Sequence, residues 1–338
     1  MSENTATTVT ETRRAPPEIG KRHRIALLDG LRGSALVAMA IYHFVWDLEF
    51  FGYVAAGTAA TGGWRLFARL IASSFLFLAG YSLVLGQRPN FRPRAFARRF
   101  VKIAGAALLI SIATWFAFPD SFIFFGILHS IAAASLVGLL FLPLPAIVSL
   151  VAAAAAFAAP LYLRSAIFDV PLLWWVGLSE TVPRSNDYVP LLPWLAPFLV
   201  GIGTAKLLHP LLVNPGASTK PEGSPRNLWI EPLAFGGRHS LAIYLVHQPL
   251  LIGLVYLVAQ IAPAAAPDPE QAYRANCVAA CNRADPAAPC EAFCGCTLDR
   301  LKEQSLFEDL NMGKINVNTD ERIARIARQC TMDVQSGD

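Results

Sequence analysis

Four ionisable side chains in an otherwise apolar run, Arg24 to Tyr53, are the residues best placed to do chemistry. Asp29, Arg32, His43 and Asp47 follow one another at spacings of three, eleven and four. At 3.6 residues per turn all four fall near one stripe of a helix. Ionisable groups are costly in hydrocarbon, so such a stripe faces a protein interior or a water-filled path. His43 and Asp47, one turn apart, can interact directly or through a neighbouring helix as a base-and-orienter pair of the kind that deprotonates a hydroxyl or amine during acyl transfer. Alternatively, Asp47 anchors the helix at the outer interface and His43 bonds within the bundle. Arg32 lies roughly 16 Å from His43 along the axis, so it serves a different part of a long ligand or pairs with Asp29.

Further polar residues sit in equally apolar company. His129 lies in FFGILHSIAAA, and Arg238, His239 and His247 lie in FGGRHSLAIYLVHQP, where Ser240, Tyr244 and His247 share a helical face. These are second-tier site residues or structural groups, each of which needs a partner. Asp187, Tyr188 and Trp194, in DYVPLLPWLAPF, stand where an outer loop enters the next apolar run and fit either an acceptor mouth or an interfacial belt. No phosphate-binding loop, dinucleotide fingerprint or zinc-protease motif occurs in the sequence.

The elements that must position these residues are membrane helices. Of the 338 residues 54% are apolar and 15% charged, well below the roughly 25% charged of soluble domains. The formal charge of +4 is too modest for a nucleic-acid partner. The pattern predicts an all-α, polytopic transmembrane bundle of about seven spans, at 25–51, 65–86, 100–118, 121–142, 144–163, 191–208 and 233–262. Residues 1–24 read as a disordered cytoplasmic leader, 25–262 as the bundle and 263–338 as a cysteine-rich extracytoplasmic tail. Arg13, Arg14, Lys21, Arg22 and Arg24 precede the first span, Arg88, Arg92, Arg94, Arg98 and Arg99 follow the second, and residues 52–63 carry no Lys or Arg. The positive-inside rule therefore predicts a cytoplasmic N-terminus. With seven crossings, the loop containing Lys220 and Arg226 is inside and the tail outside.

All six cysteines lie in the tail. Cys277 and Cys281 share one helical face, as do Cys290 and Cys294. A two-helix hairpin turning at Ala284 to Pro289 can join Cys277 to Cys294 and Cys281 to Cys290, with Cys296 closing on Cys330. Sequence alone permits fifteen pairings. Disulfides require an oxidising compartment, which agrees with a periplasmic tail; a metal site built on the cysteines is the rival reading.

The run from Arg24 to Tyr53 resembles bacterial membrane proteins related to the catalytic domain of heparan-alpha-glucosaminide N-acetyltransferase. The resemblance continues through FLFLAGYSLVLG (75–86), FFGILHSIAAASL (124–136), DYVPLLPW (187–194) and GRHSLAIYLVHQPLL (237–251). Arg32 and His43, with ten residues between them, are also similar to the arginine-histidine signature of the broader membrane acyltransferases. The resemblance implies acyl transfer from cytoplasmic acyl-CoA, often acetyl-CoA in that family, to an amino or hydroxyl group of an extracytoplasmic, sugar-like acceptor. It makes His43 catalytic with Asp47 as partner, Arg32 donor-binding or structural, and Asp29, His129, Arg238, His239 and His247 lining residues. It implies no metal and no permanently bound cofactor, with a bacterial-type inner membrane as the setting and a homo-oligomer compatible with it. Two other classes stay open: a proton-coupled transporter or flippase using the buried charges, and a scaffold or sensor binding through its tail.

Overall fold

The computed structural model describes residues 26–87, 91–212, 230–265, 268–285, 288–317 and 320–336. The expected leader, residues 1–24, lies outside the described residues, as do Arg88, Lys220 and Arg226. The described chain is almost entirely α-helical: α1 (Ala26–Phe50), α2 (Gly62–Gln87), α3 (Pro93–Ala117), α4 (Ile127–Phe141), α5 (Ala146–Tyr162), α6 (Leu191–Leu212), α7 (Ile230–Arg238), α8 (Ser240–Ile261), α9 (Pro269–Ala284), α10 (Cys290–Glu303), α11 (Phe307–Asn311) and α12 (Glu321–Ser336).

The expectation of seven spans needs correction. Among the described residues four helices are long and apolar enough to cross a membrane: α2, α3, α6 over Leu191–Leu208, and α8. Each of the other three runs falls short for its own reason. α1 has the length, but Asp29, Arg32, His43, Asp47 and Glu49 make it too polar to join the four. α5 has 17 residues and α4 has 15, about 26 and 22 Å against a hydrocarbon core of about 30 Å. α4 starts late because the backbone before it is used elsewhere: Asn186 N–H donates to the Ser121 carbonyl and Val189 N–H to the Phe125 carbonyl. The last expected run, 233–262, breaks at His239 into α7 and α8.

The fold is that of a multi-pass membrane protein, and α1 shows why. Its buried residues include Asp29, Leu36, Met39 and Asp47, whereas Leu27, Leu31, Val37, Ile41 and Phe44 are exposed. A soluble helix turns its apolar stripe inward; here a mixed polar stripe faces inward and an apolar one faces out, which suits lipid.

The main core lies among α2, α4 and α6, with Leu76, Leu83, Phe198, Leu199 and Ile202 almost wholly enclosed. Small residues bring backbones together there. A Cβ on Gly80 would collide with the Phe198 carbonyl, and one on Gly201 with the Phe77 carbonyl. Such contacts between small residues are how membrane helices approach closely. Lys206 of α6 donates to the Phe141 and Leu144 carbonyls at the end of α4, where a cation complements the helix dipole.

In the tail, disulfides join Cys277 to Cys294, Cys281 to Cys290 and Cys296 to Cys330. The first two clasp the α9–α10 hairpin and the third pins α12 onto α10, over a small core of Leu301, Leu306 and Ile326. A metal site on these cysteines would need free thiolates, and all six are bonded to one another.

Candidate functional site

α1 and α8 run side by side in the same direction. His43 pairs with His247, Asp47 with Gln248, and the Tyr53 hydroxyl reaches the Ala262 carbonyl just beyond α8. α7 holds the other end of α1: a Cβ on Gly33 would strike the Leu233 carbonyl, and one on Gly237 the Asp29 carbonyl. α1 is thereby fixed along its length, and its polar stripe is turned toward α2 and α8.

The central feature is a histidine pair. His43 Nδ1 lies 2.6 Å from His247 Nε2, and His247 Nδ1 lies 2.7 Å from the Tyr244 carbonyl one turn back. Proton positions follow from the partners. A carbonyl only accepts, so His247 Nδ1 carries the proton and the Nε2 of the neutral ring accepts one from His43 Nδ1–H. This leaves His43 Nε2 with its lone pair free, the state needed in a general base. The expected His43–Asp47 pair does not form. Both side chains turn to α8 instead, and Asp47 Oδ1 accepts from Gln248 Nε2 at 2.7 Å. Asp47 is wholly buried, and its Oδ2, like Gln248 Oε1, has no hydrogen-bond partner among the described residues.

At the other end of α1, Arg32 pairs with Asp29 at 3.1 Å and donates to the Ser82 hydroxyl. Arg99 of α3 donates to the Ala79 carbonyl and stands near enough to Arg32 for their charges to repel. The sequence identifies Arg99 only as a topology signal. Its place beside Arg32 depends on how α3 packs, which no spacing encodes.

Four other expected site residues make contacts away from the histidine pair. His129 Nδ1 accepts from Gly126 N–H and its Nε2 meets the Ser111 hydroxyl, so it caps its own helix. Arg238 and His239 are exposed and lean on Phe235 of α7. Trp194 is partly buried and packs against the main core.

Asp187 reaches inward from the loop before α6. Its Oδ2 accepts from Ile127 N–H at 2.9 Å and caps α4. Its charge is also felt by the phenols of Tyr42 on α1 and Tyr244 on α8, so it adjoins the helices that carry the histidine pair. Burial pushes this carboxyl up to about 6, partly opposed by the Ile127 hydrogen bond. Tyr188 donates to the Trp174 carbonyl, and burial raises its phenol against the opposing charge of Arg164. Gly177, at φ +89°, closes the turn carrying Trp174 with its backbone pressed on Leu192.

The fold is that of a multi-pass membrane protein with a histidine pair held between two parallel helices. A family model for the heparan-alpha-glucosaminide N-acetyltransferase catalytic domain matches residues 24–249, about two thirds of the chain, and the chain belongs to that family. No curated protein and no solved structure matches it. The matched region runs from α1 into the first half of α8 and leaves out the tail.

Proposed function

We propose that the protein transfers an acyl group, acetyl foremost, from cytoplasmic acyl-CoA to an amino or hydroxyl group of a sugar-like acceptor on the opposite face of the membrane. The observation that carries this reading is the His43–His247 pair, with His43 Nε2 left as an acceptor, inside an acyltransferase-family catalytic domain. His43 takes the proton of the acceptor amine or hydroxyl as that group attacks the thioester carbonyl. When the carbon–sulfur bond breaks, His43 returns the proton to the departing thiolate. The products are an amide or ester and free CoA, and the base is regenerated. His247 positions His43 through Nδ1, the part first expected of Asp47. Arg32 and Arg99, with one carboxylate between them, give the cytoplasmic end a positive charge suited to the donor's phosphates.

Sidedness rests on separate supports. Arg92, Arg94, Arg98 and Arg99 open α3, whereas the loop at 52–61 has no basic residue. Because α1 and α8 are parallel, the tail leaves the bundle on the side where α1 ends, whatever the total number of crossings. The three disulfides belong on an oxidising side.

The test is thiol release from acetyl-CoA by purified protein, with glucosamine as acceptor. His43→Ala should lose turnover. His247→Leu should lower kcat by about a hundredfold or more, and His247→Gln should keep more of it, because its amide oxygen still accepts from His43 Nδ1. Full turnover in His43→Ala would defeat the assignment.

A further inference from the structure

Among the described residues Asp47 Oδ2 and Gln248 Oε1 are two enclosed acceptors without donors, on side chains that α1 and α8 bring together. A buried polar atom left unpaired is costly. A proton on Asp47 Oδ2 would let the carboxyl donate to the Gln248 amide oxygen and close the pair on itself, whereas the ionised carboxylate leaves both acceptors open. Flipping the Gln248 amide exchanges an unsatisfied acceptor for an unsatisfied donor. The ionised pair is therefore a receptor for an external group that presents N–H or O–H donors.

We infer that Asp47 and Gln248 form the subsite that holds the polar head of the acyl acceptor, receiving N–H or O–H donors from an amino group or adjacent hydroxyls. This rests on the acyl-transfer reading above and adds the two residues that seat its second substrate. Asp47 lies one helical turn from His43, about 6 Å along the axis, on the side toward Tyr53, where the tail departs. An acceptor seated there lies between its own side of the membrane and the base that must deprotonate it. Gln248 is joined to Asp47 by its amide N–H, so it both fixes the carboxylate and offers the second acceptor. A trapped water supplies the same donors, and the experiment separates the two sources.

The test uses the full-length protein in detergent and measures equilibrium binding of glucosamine, with N-acetylglucosamine as the amine-blocked comparator and the unfolding midpoint as the check on folding. Asp47→Asn, which turns one acceptor into a donor, and Gln248→Leu should each weaken glucosamine binding by about tenfold or more. If Gln248→Leu does not fold, Gln248→Met keeps the length while removing both polar atoms. Unchanged affinity in folded variants, or no saturable wild-type binding of either sugar, would overturn the subsite and leave a water in it. Thiol release measured in parallel keeps the two claims apart. Binding without release retains the subsite and removes the transferase, whereas release with an unaltered glucosamine KM in the variants does the reverse.

Discussion

His43 and its partner His247 are 204 residues apart, and this separation explains what the sequence could and could not disclose at the level of single residues. The polar stripe of α1 is legible because helical periodicity is local. Which stripe member bonds to which group is set by α8: one-turn spacing pointed from His43 to Asp47, whereas the hydrogen bonds run from His43 to His247 and from Asp47 to Gln248. Asp187 was legible as a polar residue at a loop end, but not as the cap of α4, because that bond spans 60 residues. Its carboxyl, raised by burial to about 6, has a consequence for pH. The folded state binds its proton more tightly than the unfolded chain, whose value is near 4. The resulting stability is present below about pH 4 and is lost as pH rises through about 6. The unfolding midpoint in detergent should therefore fall across that window by the equivalent of about 3 kcal/mol, and Asp187→Asn should flatten this component.

At the scale of elements, apolar run length located the helices well and their capacity to span less well. α2, α3 and α6 lie where the runs predicted them. The early part of the fourth run became loop because Ser121 and Phe125 pair with the backbone at 186–189, a long-range choice that hydropathy does not register. The break at His239 follows FGGR, where two glycines meet. One of them has a definite use: the Asp29 carbonyl occupies the space where a Gly237 side chain would begin. Gly237→Val should separate α7 from α1 and destabilise the bundle by about 2 kcal/mol or more, read as a lower unfolding midpoint. Gly253 has open space around it, so Gly253→Ala should leave the midpoint nearly unchanged.

For the whole molecule, the parallel course of α1 and α8 brings the start of the tail, the Asp47 end of the polar stripe and the loop at 52–61, which has no basic residue, to the same end of the bundle. The cysteine hairpin was readable because its pairs recur at helical spacing, and the structure forms those pairs. The tail's role was not readable, since its residues lie outside the matched domain. Reduction should make residues 268–336 protease-sensitive while the bundle's unfolding midpoint stays put, because the crosslinks restrain only that segment. Loss of both together would show that the tail and bundle fold as one unit.

Transfer across the membrane through His43 can be watched in a vesicle whose protein meets acetyl-labelled CoA on its cytoplasmic face while glucosamine is confined to the other side. Labelled N-acetylglucosamine should collect in the glucosamine compartment, and none should form with His43→Ala. Product formed only when donor and acceptor share a compartment, or formed equally by His43→Ala, would contradict it.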